Sequence, residues 1–407
     1  MKSQEKAVEQ VLFSRRASGL STNATAGPSG TAISFDSGHA FPGILPDLTQ
    51  VASVALSKYR AETLQYAPRP GLPELRSWIA EYMLSDGVVN LSPEEVLVVN
   101  GAKHGLELVC RLLLDEGDSI VVTAPTYFTA IPIFKSFGVE FIEVQQDSEG
   151  LNVSELQHSL ENRKQAGKRL PKFIYDVPDF HNPTGLTMSR NRREAIIELA
   201  KDYGLFIVED SPYRKVRFEG ESQPSLKALD DSNSTVLTLG TFSKLMAPGL
   251  RVGWIAARRD LLARIVQLKS DGGSCPLTQR LIIEFCGTGQ LDNHIRRVQE
   301  TYRVHRDRMA AAVRREFPEA EFNLPNGGYY LWLALPPDCD GDDLAKRAAQ
   351  EDVILVPGSK FFTASGGGHG VGKPFPKNHI RAAYSYASPE QIDEGVRRLA
   401  RAFRSIA

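Results

Sequence analysis

The feature that most constrains this chain is a recurrence between residues 95 and 257, where short β-rich runs alternate with helix-patterned stretches. The runs are EVLVV (95–99), SIVVT (119–123), VEFIEV (139–144), KFIYDV (172–177), LFIVED (205–210), TVLTLG (235–240) and VGWIAA (252–257). Between them lie stretches such as REAIIELAKDYG (193–204), whose apolar residues recur at helical spacing. Strand, helix and strand repeated in this way predict an α/β fold with a mostly parallel central sheet and helices on both faces. Sheets of that kind gather their ligands at the carboxyl ends of the strands.

After about residue 290 the pattern changes. A long charged helix, LDNHIRRVQETYRVHRDRMAAAVRREF, is followed by the apolar run GGYYLWLAL (327–335), a helix near 342–351 and a last strand HIRAAYS (379–385). These describe a smaller α+β unit. The first 50 residues, rich in Gly, Pro and Ser between 18 and 46, are expected to cross over and pack on it. The division is therefore 1–50, 51–290 as the large unit, and 291–407 as the small one.

A chain of 407 residues, 42% hydrophobic and 24% charged, buries a large core. At roughly 100–200 residues per domain it holds two or more structural units. Lys and Arg total 48 against 49 Asp and Glu, so no overall field recruits nucleic acid or an anionic membrane, and a small anion must be held by local groups. Cys110, Cys275, Cys286 and Cys339 are widely spaced and form no metal-binding pattern, which fits reduced thiols in a cytoplasmic setting. No apolar run approaches the ~20 residues that cross a bilayer. The glycine-rich SGGGHGVGKPF (365–375) resembles a phosphate cradle only superficially, since it opens no helix and lacks the GxGxxG spacing.

The sharpest chemical signal is GTFSKLMAPGLRVGW (240–254), directly after a buried strand. Thr241, Ser243, Lys244 and Arg251 fall within eleven residues there. A lysine at the end of a core strand is costly to bury, because desolvation disfavours its charged form. The depressed pKa that results suits Schiff-base formation with an aldehyde. Two more loops leave strand ends: DVPDFHNPTG (176–185), and VEDSPYRKV (208–216) with Asp210 and Tyr213 three apart. Taken singly, these residues are equally a turn lysine, a helix-capping acid or core aromatics. Together they match the needs of a pyridine cofactor, whose ring nitrogen requires a carboxylate such as Asp210 and whose phenolic oxygen requires neutral donors such as Tyr213 and Asn182. The helix starting in VLVVNGAKHGLELVCRLLL (96–114) presents free backbone amides at Ala102 and Lys103, an anion site that Thr241, Ser243 and Arg251 complete as a phosphate cup. Tyr127, in the turn after the next strand, is placed to stack on the ring.

On these segments, and on the tail HIRAAYSYASPEQIDEGVRRLA, the chain resembles fold-type I pyridoxal-phosphate (PLP) aminotransferases, in the branch of α-aminoadipate/kynurenine-type aminotransferases. The likeness covers nearly the whole chain in the family's order. It implies that Lys244 forms the Schiff base with PLP, that Asp210 pairs with the pyridine nitrogen, and that Asn182 and Tyr213 contact the phenolic oxygen. It also implies that Ala102, Lys103, Thr241, Ser243 and Arg251 bind the phosphate, with Tyr127 stacked on the ring. Tyr66, in LQYAPRPGLPELR (64–76), would reach the phosphate of a neighbouring subunit, which makes the protein a homodimer. Arg381 would clamp the α-carboxylate of the substrate, with Asn182 and Gly38 close by.

Three positions depart from the family's habit. Ala102, Lys103 and His104 replace a Ser-Gln or Gln-Gln pair, His181 stands where Gln is frequent, and Ser211 replaces a second Asp. The implied reaction moves an amino group from an L-amino acid to a 2-oxo acid in two half-reactions with ping-pong kinetics. Elimination, decarboxylation-coupled oxidation or cyclisation on the same fold is the alternative, because fold does not dictate outcome. A regulator using this domain as a ligand sensor is a further one, although a basic DNA-binding unit is not expected in the first 50 residues. Arg15 and Arg16 are candidates to face an acidic substrate side chain, or form a solvated basic pair.

Overall fold

The computed structural model describes residues 32–363 and 375–405. The pair Arg15 and Arg16 and all but the last residue of the glycine-rich loop lie outside them. In chain order the strands are β1 (Ile33–Ser34), β2 (Val96–Val99), β3 (Ser119–Ala124), β4 (Glu140–Asp147), β5 (Gly150–Leu151), β6 (Phe173–Asp176), β7 (Phe206–Asp210), β8 (Val236–Thr241) and β9 (Gly253–Ala256). Then follow β10 (Tyr330–Ala334), β11 (Val353–Ile354), β12 (Val356–Pro357) and β13 (His379–Ala383).

The main sheet has the order β2-β9-β8-β7-β6-β3-β4-β5. Strands β4, β3, β6, β7 and β8 run parallel. Every residue of β3, β6 and β8 is buried, as expected for strands covered by helices on both faces. Two strands run against this direction: the two-residue edge strand β5, antiparallel to β4, and β9, antiparallel to both β8 and β2. The connection from Thr241 to Gly253 is too short for a crossover helix, so the chain must return beside the strand it has just left.

Helices are set by their ends as much as by their faces. In Arg190–Tyr203 the Ser189 side chain accepts from the Arg192 amide, and Gly204 closes the other end in the left-handed region. The final helix, Pro389–Arg404, starts with a capping box in which Ser388 and Gln391 each accept the other's backbone N–H. Its buried stripe, which includes Ile392, Val396, Leu399 and Phe403, joins the largest hydrophobic cluster, which also takes in Leu97 and Val99 of β2.

The second sheet, β10-β13-β12, is antiparallel, and β1 pairs in parallel with β11. Residues 33–35 are therefore tied to the C-terminal part: Phe35 N–H donates to Ile354 O at 2.7 Å, and Ala383 N–H donates to Phe35 O at 2.7 Å. The chain then passes from β1 along the carboxyl edge of the main sheet. No helix among the described residues is long and apolar enough to cross a membrane.

Candidate active site

The turn after β8 closes on its own hydroxyls. Thr241 Oγ1 donates to Ser243 Oγ at 2.9 Å, and Ser243 N–H donates back to Thr241 Oγ1 at 3.1 Å. The next residue, Lys244, opens onto a cavity of about 600 Å³ at the carboxyl edge of the sheet. Its Nζ donates to Gly38 O at 2.5 Å and lies 4.8 Å from the centre of the Tyr329 ring. A side chain at position 38 would collide with the Tyr330 hydroxyl and stand 3.7 Å from Lys244 Nζ, so only glycine lets the crossing segment come this close. Burial, and then the charges of Arg381 and Arg251, push the Lys244 ammonium down to about 8.

Asp210, the last residue of β7, is 5% exposed. Its Oδ2 accepts from the Tyr175 hydroxyl at 2.8 Å, while Oδ1 is buried without a partner. Burial pushes its carboxyl up to about 6, against the lowering effect of the Tyr175 bond. Asn182 shows the same half-used chemistry: Oδ1 accepts from Arg381 Nη1 at 3.0 Å and Nδ2 has no partner. The hydroxyls of Tyr213 and Tyr330 lie 3.0 Å apart, and burial holds Tyr213 well above the ordinary phenol range, hence protonated. Tyr127 lines the same cavity, its phenol pushed up to about 12 by burial.

At the other end, Gly101 caps the helix Ala102–Leu113 with φ 87°, and the amides of the first turn face the cavity lined by Ala102 and Lys103. Arg251 Nη2 donates to Asn100 O at 3.4 Å and Nη1 to Pro248 O at 3.3 Å. The φ of Gly101 is one that side-chain-bearing residues rarely adopt, which accounts for the glycine. Arg381, on β13, is 1% exposed. Its guanidinium lies 4.2 Å from the Tyr330 ring and 5.3 Å from that of Phe128, and it also donates to Asp36 O.

The three unusual positions are all integrated locally. His104 Nδ1 accepts the Asn100 N–H at 3.1 Å, and so ties the first turn of the helix to the residue before its Gly101 cap. His181 sits between Thr123 Oγ1 and Thr184 Oγ1, 3.1 Å from each, and burial pushes it down to about 3, so it is neutral. Ser211 N–H donates to Leu239 O at 2.9 Å.

The structure thus brings Gly38, Ala102, Lys103, Tyr127, Asn182, Asp210, Tyr213, Thr241, Ser243, Lys244, Arg251 and Arg381 around one cavity. Tyr66 is not among them; it is 85% exposed on the surface of the chain. Sequence reasoning missed Tyr175, Phe128 and Tyr330. The last was absorbed into the apolar run GGYYLWLAL, and the available signal was that a buried tyrosine hydroxyl needs a partner.

The family described as aminotransferase class I and II matches residues 35–399. The aromatic-amino-acid aminotransferase 1 of Thermococcus litoralis is 35% identical over 86% of this chain and 82% of its own length. The 2-aminoadipate transaminase of Thermus thermophilus is 34% identical over 92% of this chain and 90% of its own. A multiple substrate aminotransferase from Thermococcus profundus has the same fold, with a TM-score of 0.88 at 34% identity, covering 97% of this chain and 98% of that one. The chain therefore belongs to the class I and II aminotransferase family and is a pyridoxal-phosphate-dependent aminotransferase.

Proposed function

We propose that Lys244 is the cofactor-binding and proton-moving residue, and that Asp210, Asn182, Tyr213 and Arg381 orient cofactor and substrate around it. The observation that carries this reading is the set of unused buried atoms facing one cavity. Asp210 Oδ1 suits a ring N–H, and Asn182 Nδ2 suits a phenolate oxygen. The donors at Ala102, Lys103, Thr241, Ser243 and Arg251 suit a phosphate. When bound, PLP supplies an aldehyde carbon that captures amines and a pyridinium ring that accepts electrons.

The chain's own groups divide the remaining work. Lys244 Nζ, lowered toward neutrality, would hold the cofactor and, when free of it, would take the proton from the substrate Cα. Arg381 holds the substrate carboxylate through its planar fork and so fixes which Cα bond faces Lys244. Asp210 keeps a proton at the ring nitrogen, and Tyr213 and Asn182 donate to the oxygen beside the reacting carbon. Tyr127 covers one ring face and excludes water. The substrates are an L-amino acid and a 2-oxo acid. Which amino acid is best used is tested by screening donors for conversion of the bound cofactor to its amine form, and failure of every L-amino acid to do so defeats the reading.

The proposal extends to a homodimer in which Tyr66 completes the partner subunit's phosphate site. Leu45, Leu56, Leu64 and Tyr66 are exposed along one short stretch, an apolar surface suited to a second copy. An active monomer in sedimentation at assay concentration would overturn it. The division at about residues 50 and 290 belongs to the same proposal, and its N-terminal part, the packing of the first segment on the C-terminal unit, is supported by β1 joining β11. A cytoplasmic setting fits four cysteines that are all free.

A further inference from the structure

We propose that Tyr175 is a positioning residue for this reaction: its hydroxyl keeps the Asp210 carboxylate ionised and turned so that Oδ1 faces the cofactor's ring nitrogen. The inference rests on the reading of Asp210 given above. It begins with strand register. Tyr175 on β6 pairs with Val208 on β7, so Asp210, two residues further along β7, is its diagonal neighbour on the same face of the sheet. That spacing is too long for two short side chains and is spanned by a tyrosine ring, which places its hydroxyl 2.8 Å from Asp210 Oδ2.

The direction of this hydrogen bond is settled by burial. Tyr175 is fully buried and its phenol is held well above the ordinary range, so the O–H remains a donor. Its ring is locked edge-on against Phe134, with centroids 5.2 Å apart. Among the described residues, Tyr175 makes the one hydrogen bond to the Asp210 carboxylate, and it occupies a single oxygen. The other titratable groups whose charge acts on Tyr175 are Tyr127, after β3, and Asp176, its neighbour along β6 on the opposite face of the sheet; neither carries positive charge. Burial drives Asp210 toward its neutral form, and the Tyr175 bond is the opposing influence. A protonated Asp210 would offer the ring nitrogen an acid where a carboxylate is needed. The two oxygens thus have different duties, one for the protein and one for the cofactor.

Because the donor favours the anion, its removal moves the Asp210 pKa upward from about 6, and the carboxylate is then lost at higher pH as the solution is acidified. The test uses Tyr175→Phe and Asp210→Asn. In cofactor-free protein, carbon-13 NMR of labelled aspartate carboxyls, with the Asp210 signal identified by its absence in Asp210→Asn, reads the pKa directly. In loaded enzyme, exchange of the substrate Cα proton with deuterated solvent reads the electron sink. Tyr175→Phe is expected to raise the Asp210 pKa by about one to two units and slow exchange by roughly ten- to a hundredfold. KM should change by less than about threefold. An unchanged pKa and exchange rate in Tyr175→Phe, with only the melting temperature lowered, overturns the proposal. If Asp210→Asn itself exchanges at near the wild-type rate, it is the reading of Asp210 that fails instead.

Discussion

At the ring end of the cavity, Asp210, Asn182, Tyr213 and Arg381 are at most 5% exposed, and each is held by another buried side chain. At the helix end, Arg251 is exposed and, among the described residues, its guanidinium donates only to the backbone carbonyls of Pro248 and Asn100. The first arrangement fixes angles before any ligand arrives and works in a low dielectric, where each hydrogen bond counts for more. The second is wetter, and supplies charge and backbone amides that salt can screen. On the proposed assignment, geometry would govern the end where bonds to hydrogen are broken, and charge would suffice where an unreactive anion is anchored.

Lys244 lies between the two ends, and its loss is expected to have the largest effect. Lys244→Ala should abolish amino-group transfer and leave no borohydride-trappable link between protein and cofactor. A trapped link surviving in the variant would place the attachment elsewhere.

At the buried end, Arg381→Lys should lower kcat/KM for amino acids by roughly ten- to a hundredfold while cofactor stays bound, because one rotatable ammonium replaces a two-pronged fork. Comparing an amino acid with its decarboxylated amine isolates the carboxylate. An undiminished preference for the acid would remove Arg381 from that role, and simultaneous loss of cofactor and stability would make it a structural residue.

The open end should yield less. Arg251→Ala is expected to weaken cofactor binding by about three- to tenfold in low salt, with the difference shrinking as salt is raised. Titrating cofactor-free protein at two ionic strengths checks this. A large loss that ignores salt would show that the helix end is as dry as the ring end, and the contrast would collapse.

The smallest effect concerns Lys244 as seen from the open end. Its ammonium is lowered to about 8 by burial, then by Arg381 and Arg251 in that order. A neighbouring positive charge disfavours the ammonium, so Arg251→Ala should raise the pKa by a few tenths, well under the effect of burial. Reductive trapping of cofactor-free protein by a simple aldehyde across pH would show a midpoint near 8 in the wild type, displaced slightly upward in the variant. A downward displacement would mean that Arg251 acts on Lys244 by something other than its charge.

Legibility in the sequence followed how local each determinant is. The parallel strands announced themselves through continuous apolar runs, and Lys244 through a segment in which strand, turn, hydroxyls and arginine are contiguous. The antiparallel β9 was not visible, because VGWIAA carries no mark of direction; its sense comes from the short path back from Thr241. Tyr175 and Tyr330 stood inside the runs KFIYDV and GGYYLWLAL without being singled out, since each matters through a partner far along the chain: Asp210 for one, Tyr213 and Arg381 for the other. The approach of residues 36–38 to Lys244 depends on β1 joining β11, a pairing of two-residue strands too short to leave a pattern.

The placement of the three tryptophans gives the protein its own optical instrument. Trp254 lies against Gly240 at the end of β8, beside the hydroxyl turn, with Trp78 one ring further away across Phe242. Trp332 pairs in register with Arg381 and stacks on His379 with centroids 5.0 Å apart. Trp78 and Trp254 therefore stand behind one end of the cavity and Trp332 behind the other, none of them lining it, and a bound absorbing cofactor would quench each according to its distance. Replacing Trp332 with Phe leaves a signal dominated by the anchoring end, and replacing Trp78 and Trp254 leaves one from the carboxylate end. Loading of the cofactor and arrival of the substrate could then be timed separately in the same chain, without an added label.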